Sequence, residues 1–143
     1  MPHCDHAVFR VADLDRSVEF YMRVLPAQLV SRKQHEDCWR SEIATLRPEG
    51  QPGFSIVLIM PRRVRWILWL LHHFVPRQSR SHEHLGFVCG SREELEARAR
   101  AAHEIGARVE NALAQLEGRE GWLFEVLDPD QNAIEWTFGV VHD

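Results

Sequence analysis

His6-Ala7-Val8-Phe9 opens one half of the chain, and His84-Leu85-Gly86-Phe87 opens the other 78 residues later. A repeat at that spacing predicts a fold of two like halves, and it sets two histidines where a pseudo-twofold axis can bring them together. The register continues outward. Asp13, a good helix N-cap, falls opposite Ser91, which begins the capping-box sequence Ser91-Arg92-Glu93-Glu94.

Each half then reads the same way. Ala7, Phe9 and Val11 alternate with His6, Val8 and Arg10, which predicts a short strand with His6 and Arg10 on one face. From Asp13 the period lengthens, and Leu14, Val18, Tyr21, Met22 and Leu25 follow helical spacing until Pro26 ends the run. Strands are expected around 28–33, 39–46 and 54–60, the last two parted by the turn-rich Arg47-Pro48-Glu49-Gly50-Gln51-Pro52-Gly53. The second half repeats the series: a strand over 84–89, then a helix from Ser91 with Leu95, Ala99, Ala102 and Ile105 on one side, stopped by Gly106. Strands near 108–113, 122–127 and 133–138 complete it. The prediction is an α+β fold of two βαβββ modules in one domain over 1–143: module one about 4–60, an apolar linker about 61–81, and module two about 82–139.

A chain of 143 residues suffices for such a domain and buries roughly two-thirds of its unfolded surface. Its net charge of -4 excludes a general affinity for nucleic acid. Cys4, Cys38 and Cys89 are odd in number and form no CxxC pair, so neither a disulfide framework nor a cysteine zinc site is expected, and a reducing cytoplasm fits. The start Met1-Pro2-His3-Cys4-Asp5-His6 lacks the basic and apolar regions of a signal peptide. The linker Val64-Arg65-Trp66-Ile67-Leu68-Trp69-Leu70-Leu71-His72-His73-Phe74-Val75 is apolar nearly all round and bracketed by Arg62, Arg63, Arg77 and Arg80. It is shorter than the ~20 residues of a membrane span and lacks the polar face of an interfacial helix, so no membrane partner is expected. Core packing is the favoured expectation for it, ahead of a subunit contact or of Trp66, Trp69 and Phe74 stacking on an aromatic substrate.

The closing strand Asn132-Ala133-Ile134-Glu135-Trp136-Thr137-Phe138 puts a carboxylate in the middle of an apolar run. An unpaired buried charge costs several kcal/mol, so Glu135 calls for a partner, and a divalent metal held with two histidines would supply one.

Three stretches together carry a family resemblance: His6 with Val11-Ala12-Asp13-Leu14-Asp15-Arg16-Ser17-Val18-Glu19-Phe20-Tyr21, then His84-Leu85-Gly86-Phe87, then Asp128-Pro129-Asp130-Gln131-Asn132-Ala133-Ile134-Glu135. The chain resembles the vicinal oxygen chelate superfamily of glyoxalases, extradiol dioxygenases, fosfomycin-resistance enzymes and bleomycin-resistance binding proteins. The resemblance implies curled mixed sheets around a metal-binding cavity, with His6, His84 and Glu135 as ligands, a small-molecule substrate and a homodimer. The fourth carboxylate of the glyoxalases has no counterpart here. The position 78 before Glu135 is Val57, and no Asp or Glu occurs between Glu49 and Glu83.

Two histidines and one carboxylate leave open positions on a six-coordinate ion, which suits Fe(II) first and Mn(II) or Zn(II) next. This favours an extradiol-type ring-cleavage dioxygenase; a non-oxidative isomerase, a fosfomycin-type thiol transferase and a metal-free sequestering protein are the alternatives. Arg10 and Thr137 share strand faces with the implied ligands and are the candidate substrate-binding residues. Tyr21, the only tyrosine, occupies a packing position, and His35, His72 and His73 sit in no motif that makes them acid or base. His82 is expected in a loop beside His84, and His3, His103 and His142 in solvent. Gln131 replaces the glycine usual in the family's final turn, at a cost of ~1 kcal/mol if that turn needs positive φ.

Overall fold

The protein is described from a computed structural model, which covers residues 4–74, 84–116 and 120–140. His3, Val75, Arg77, Arg80, His82 and His142 lie outside the described residues, as do the side chains of His72 and His73. The chain divides into two compact bodies, one running from its start through Ser81 with Pro129–Gln131 added, the other made of the remainder.

In the first body β1 (His6–Arg10), α1 (Leu14–Val24), β2 (Ala27–Gln34), β3 (Ser41–Pro48) and β4 (Ser55–Pro61) follow in order, with α2 (Arg65–Phe74) after them. Its sheet has the order β1-β4-β3-β2, with β1 parallel to β4 and the other pairs antiparallel. In the second body β5 (His84–Val88), α3 (Arg92–Glu104), β6 (Arg108–Gln115), β7 (Trp122–Leu127) and β8 (Ala133–Phe138) form a sheet of order β5-β8-β7-β6 with the same sense of pairing. Two βαβββ modules with mixed sheets are therefore present, as the repeat predicts.

The expected caps start both helices. The Asp13 carboxylate accepts from the Arg16 N–H at 3.1 Å, and the Ser91 hydroxyl accepts from the Glu94 N–H at 3.2 Å. The Glu94 carboxylate returns to the Gly90 N–H at 2.9 Å, and that hydrogen bond holds its pKa below the usual glutamate value. Leu14, Val18, Tyr21 and Val24 of α1 are buried against the sheet, while Met22, expected among them, is exposed. Phe20 is buried in its stead, edge-on to Tyr21 at 5.3 Å. In the second body Leu95, Ala99 and Ala102 are buried, and Phe124 stacks on Trp136 at 6.0 Å beneath them.

The expectation of core packing for the linker is corrected. α2 forms, but Trp66, Ile67, Trp69, Leu70, Leu71 and Phe74 are all exposed, Phe74 by 74 %. No described element packs extensively against α2.

Candidate metal centre

β8 enters from a tight turn that the sequence builds from its own side chains. The Asp128 carboxylate accepts from the Asn132 backbone N–H and side-chain amide, both at 2.8 Å. Gln131 takes φ 66°, the left-handed conformation that the missing glycine would adopt more freely. Asp130, only 1 % exposed, accepts from the Ala12 N–H at 3.0 Å and the Ser17 hydroxyl at 3.2 Å. Much of the Asp-Pro-Asp and Val-Ala-Asp resemblance is thus a structural clasp on the start of α1, a role that the sequence reading missed.

From that turn β8 runs parallel to β5, and its alternation holds. Ile134 and Trp136 are buried toward α3, while Ala133, Glu135 and Thr137 occupy the other face. Glu135, its side chain 13 % exposed, finds the partner that an apolar strand demands: His84 Nε2 lies 3.5 Å from its Oε1. Gly86 is the register partner of Glu135, and a Cβ there would stand 3.8 Å from the His84 ring and 3.9 Å from the Glu135 carboxylate. The bare glycine keeps the space beside both groups free.

The spacing fits a metal. First-row ions bind imidazole nitrogen and carboxylate oxygen at about 2.0–2.2 Å, so two adjacent ligands stand about 3 to 3.5 Å apart. His84 and Glu135 meet that condition without rearrangement.

His6 begins β1 and is half exposed, with Nδ1 2.7 Å from Asp5 Oδ1. That contact engages Nδ1 and not Nε2, the carboxylate–histidine arrangement found behind many metal ligands. Arg10 ends the same strand, exposed and on the same face; Thr137 is buried two residues beyond Glu135. Among the described residues, no three histidine, cysteine, aspartate or glutamate side chains form a closed ligand cluster. His84 with Glu135 is the pair brought together.

The same face of the second sheet carries residues that sequence reading did not single out. Glu125 on β7 is the register partner of Glu135 and is 7 % exposed, and the Asn111 side-chain amide on β6 donates to it. The signal was a lone glutamate in Trp122-Leu123-Phe124-Glu125-Val126-Leu127, legible only once the strand register is known.

His35 lies elsewhere, on a polar cleft of about 520 Å³ lined by Gln34, His35, Glu36, Asp37, Arg40 and Arg62. Its charges are largely occupied. Arg62 pairs with Glu42 at 3.3 Å, and the Ser41 N–H and hydroxyl hold Asp37 below the usual carboxylate pKa.

Comparison with known proteins agrees with this architecture. The profile of the Glyoxalase/Bleomycin resistance protein/Dioxygenase superfamily matches residues 3–136. No curated protein matches the chain. Among solved structures, a glyoxylase/bleomycin resistance protein/dioxygenase domain from Frankia sp. EAN1pec is similar with a TM-score of 0.77 and 22 % identity, over 98 % of this chain and 99 % of that one. Glyoxalase I from Zea mays gives 0.70 and 18 %, over 98 % of this chain but 45 % of its own length. A mutant of the genomically encoded fosfomycin resistance protein FosX from Listeria monocytogenes, complexed with Mn(II) and 1S,2S-dihydroxypropylphosphonic acid, gives 0.70 and 15 %, over 99 % and 95 %. With a profile match across nearly its whole length on a double βαβββ framework, the chain belongs to the glyoxalase/bleomycin resistance protein/dioxygenase superfamily.

Proposed function

We propose that this protein is a divalent-metal-dependent enzyme acting on a small oxygenated substrate, with His6, His84 and Glu135 as the metal ligands. The observation that carries the reading is the His84–Glu135 pair at 3.5 Å, a ligand-spaced imidazole and carboxylate beside a glycine. A bound ion would supply Lewis-acid polarisation and open positions for two substrate oxygens. The protein residues do the rest. Asp5 orients His6, the turn Asp128–Asn132 fixes the start of β8, and Arg10 offers an exposed cation to an anionic substrate group.

Three ligands with no carboxylate at Val57 favour extradiol-type ring cleavage of a catechol, and Fe(II) as the ion. The structural likeness to FosX in its Mn(II) complex supports a second reading, non-oxidative addition to a small phosphonate-like substrate with Mn(II). Oxygen uptake with a catechol panel after anaerobic Fe(II) loading decides between them. Uptake abolished in Glu135→Ala supports ring cleavage; none with any catechol, together with Mn(II) binding, supports the second. Failure of Fe(II), Mn(II) and Zn(II) alike to bind or to raise the melting temperature would leave a metal-free sequestering protein.

The chain is read as one domain working as a homodimer in the cytoplasm. No helix among the described residues is long and apolar enough to cross a membrane. Six exposed large apolar side chains on one ten-residue helix are more than scattered surface residues explain, and α2 of a second copy is the occupant proposed for them.

A further inference from the structure

We propose that Gly86 and Thr137 form a substrate-contact strip on the second sheet, fitted to a flat ring that carries an oxygen. The ring lies over the bare backbone of Gly86 and its oxygen meets the Thr137 hydroxyl. The inference rests on the reading above that this face takes a small oxygenated substrate. The fold itself needs neither residue.

Gly86 sits inside β5 as the register partner of Glu135. Its backbone lies outside the left-handed region, and a Cβ there would meet nothing closer than the His84 ring at 3.8 Å and Glu135 Oε1 at 3.9 Å. Both are ordinary van der Waals distances, so an alanine would fit. A glycine inside a strand weakens it, because the chain loses more freedom on folding and packs no side chain there. Such a glycine marks a place where another group comes close to the backbone.

Thr137 lies on the face of Glu135, one row further along, as the register partner of Val88 on β5 and Leu123 on β7. It is 4 % exposed, and among the described residues its hydroxyl has no hydrogen-bond partner. A buried hydroxyl without a partner is unfavourable, and native structures keep few of them. A ligand oxygen would satisfy it. Access is from β5, the outer strand of its sheet, where Gly86 is exposed and Val88 is 74 % exposed. Val88 and Leu123 flank Thr137 with apolar surface, which suits a ring better than a charged chain.

The first sheet supplies an internal comparison. Its positions equivalent to Gly86 and Thr137 are Val8, paired with Val57, and Ile59, paired with Arg10. Both are β-branched apolar residues, which favour strands. The same framework therefore takes a stabilising residue at each position in one half and a destabilising one at each in the other. The second is the half with the His84–Glu135 pair. Local stability given up twice on one strip points to a ligand rather than to the fold.

The test joins melting curves of the metal-free chain to calorimetric titration with catechol, on the full chain with and without Mn(II). Thr137→Val keeps the shape and removes the hydroxyl; Gly86→Ala adds a methyl group. Thr137→Val should melt about 2–4 °C higher than the wild type and bind catechol about 3- to 10-fold more weakly. Gly86→Ala should melt no lower than the wild type and bind catechol about tenfold more weakly. A purely structural role would do the reverse, lowering the melting temperature and leaving catechol affinity alone. Should either variant melt lower, or bind catechol within about twofold of the wild type, the inference is overturned. A wild type that binds Mn(II) but no catechol overturns the inference and leaves the metal centre standing. One that binds neither overturns both.

Discussion

Replacing Asp130 by alanine should cost the protein more stability than any other single change in the β7–β8 turn. Its carboxylate is 1 % exposed and accepts from the Ala12 N–H at 3.0 Å and the Ser17 hydroxyl at 3.2 Å. A hydrogen bond to a charged acceptor is worth about 1.5–3 kcal/mol, and a buried donor left without one costs about 1–3 kcal/mol. Ser17 has a fallback, since its hydroxyl also reaches the Asp13 carbonyl at 2.9 Å. Ala12 N–H, in a residue 7 % exposed, has no other acceptor in the clasp. The Arg16 contact, at 4.0 Å and half in solvent, contributes little. Asp130→Ala should therefore destabilise by about 2–4 kcal/mol, and Asp130→Asn, which keeps an oxygen for Ala12, by about half of that. Urea unfolding followed by far-UV circular dichroism measures both. A loss below about 1 kcal/mol for Asp130→Ala, or equal losses for the two variants, would refute the clasp.

Three further outcomes follow from other sites. Gly121 has φ 118°, and a Cβ there would lie 2.6 Å from Val140 Cγ2 and 2.9 Å from backbone atoms of Gly139 and Val140. Gly121→Ala should accordingly lower stability by about 2 kcal/mol or more in the same assay. Burial, with the negative charge of Glu94 adding to it, pushes the Cys89 thiol up to about 11. Ellman's reagent at pH 8 should titrate Cys4 and Cys38 quickly and Cys89 only on unfolding. Because the folded pKa is raised above the unfolded 9.0, this stabilisation is complete below pH 9 and is lost as pH rises toward 11, which alkaline melting curves will show. Trp66→Glu with Trp69→Glu should convert a dimer to a 16.7 kDa species in analytical ultracentrifugation without lowering the melting temperature of the single chain, since both rings are solvent-exposed.

What sequence could reveal was whatever repeats or alternates. Strands 122–127 and 133–138 are found as predicted, because Trp122–Leu127 and Ala133–Phe138 have clear turns on both sides. Met22 was misplaced because Leu14, Val18 and Tyr21 already fill the face of α1 that meets the sheet, and the next helical position swings clear of it. α2 was misjudged because apolar composition alone says that a segment needs covering, not that its own chain covers it. The Glu135–His84 pair was legible from the buried carboxylate; the Glu125 charge was not. The offset between the halves is 78 for His6 and His84 but 80 for Thr45 and Glu125, so the repeat read in its first register sets Arg47 against Glu125.

Despite that change of offset, the two sheets bring equivalent rows into register. Both second strands carry a register shift, between Leu29 and Ser31 in one and between Val109 and Asn111 in the other. A bulge adds twist and re-aims the residue that follows it, and here it brings Ser31 and Asn111 into the rows of Val57 and Glu135. The backbone thus builds the same four-residue row twice. What fills the row decides its chemistry: Val, Val, Thr and Ser in the first module, Gly, Glu, Glu and Asn in the second. The repeat carries the scaffold and both histidines. The charge is concentrated in one half, so loss of Glu135 should abolish metal binding, whereas Val57→Glu alone should not restore it.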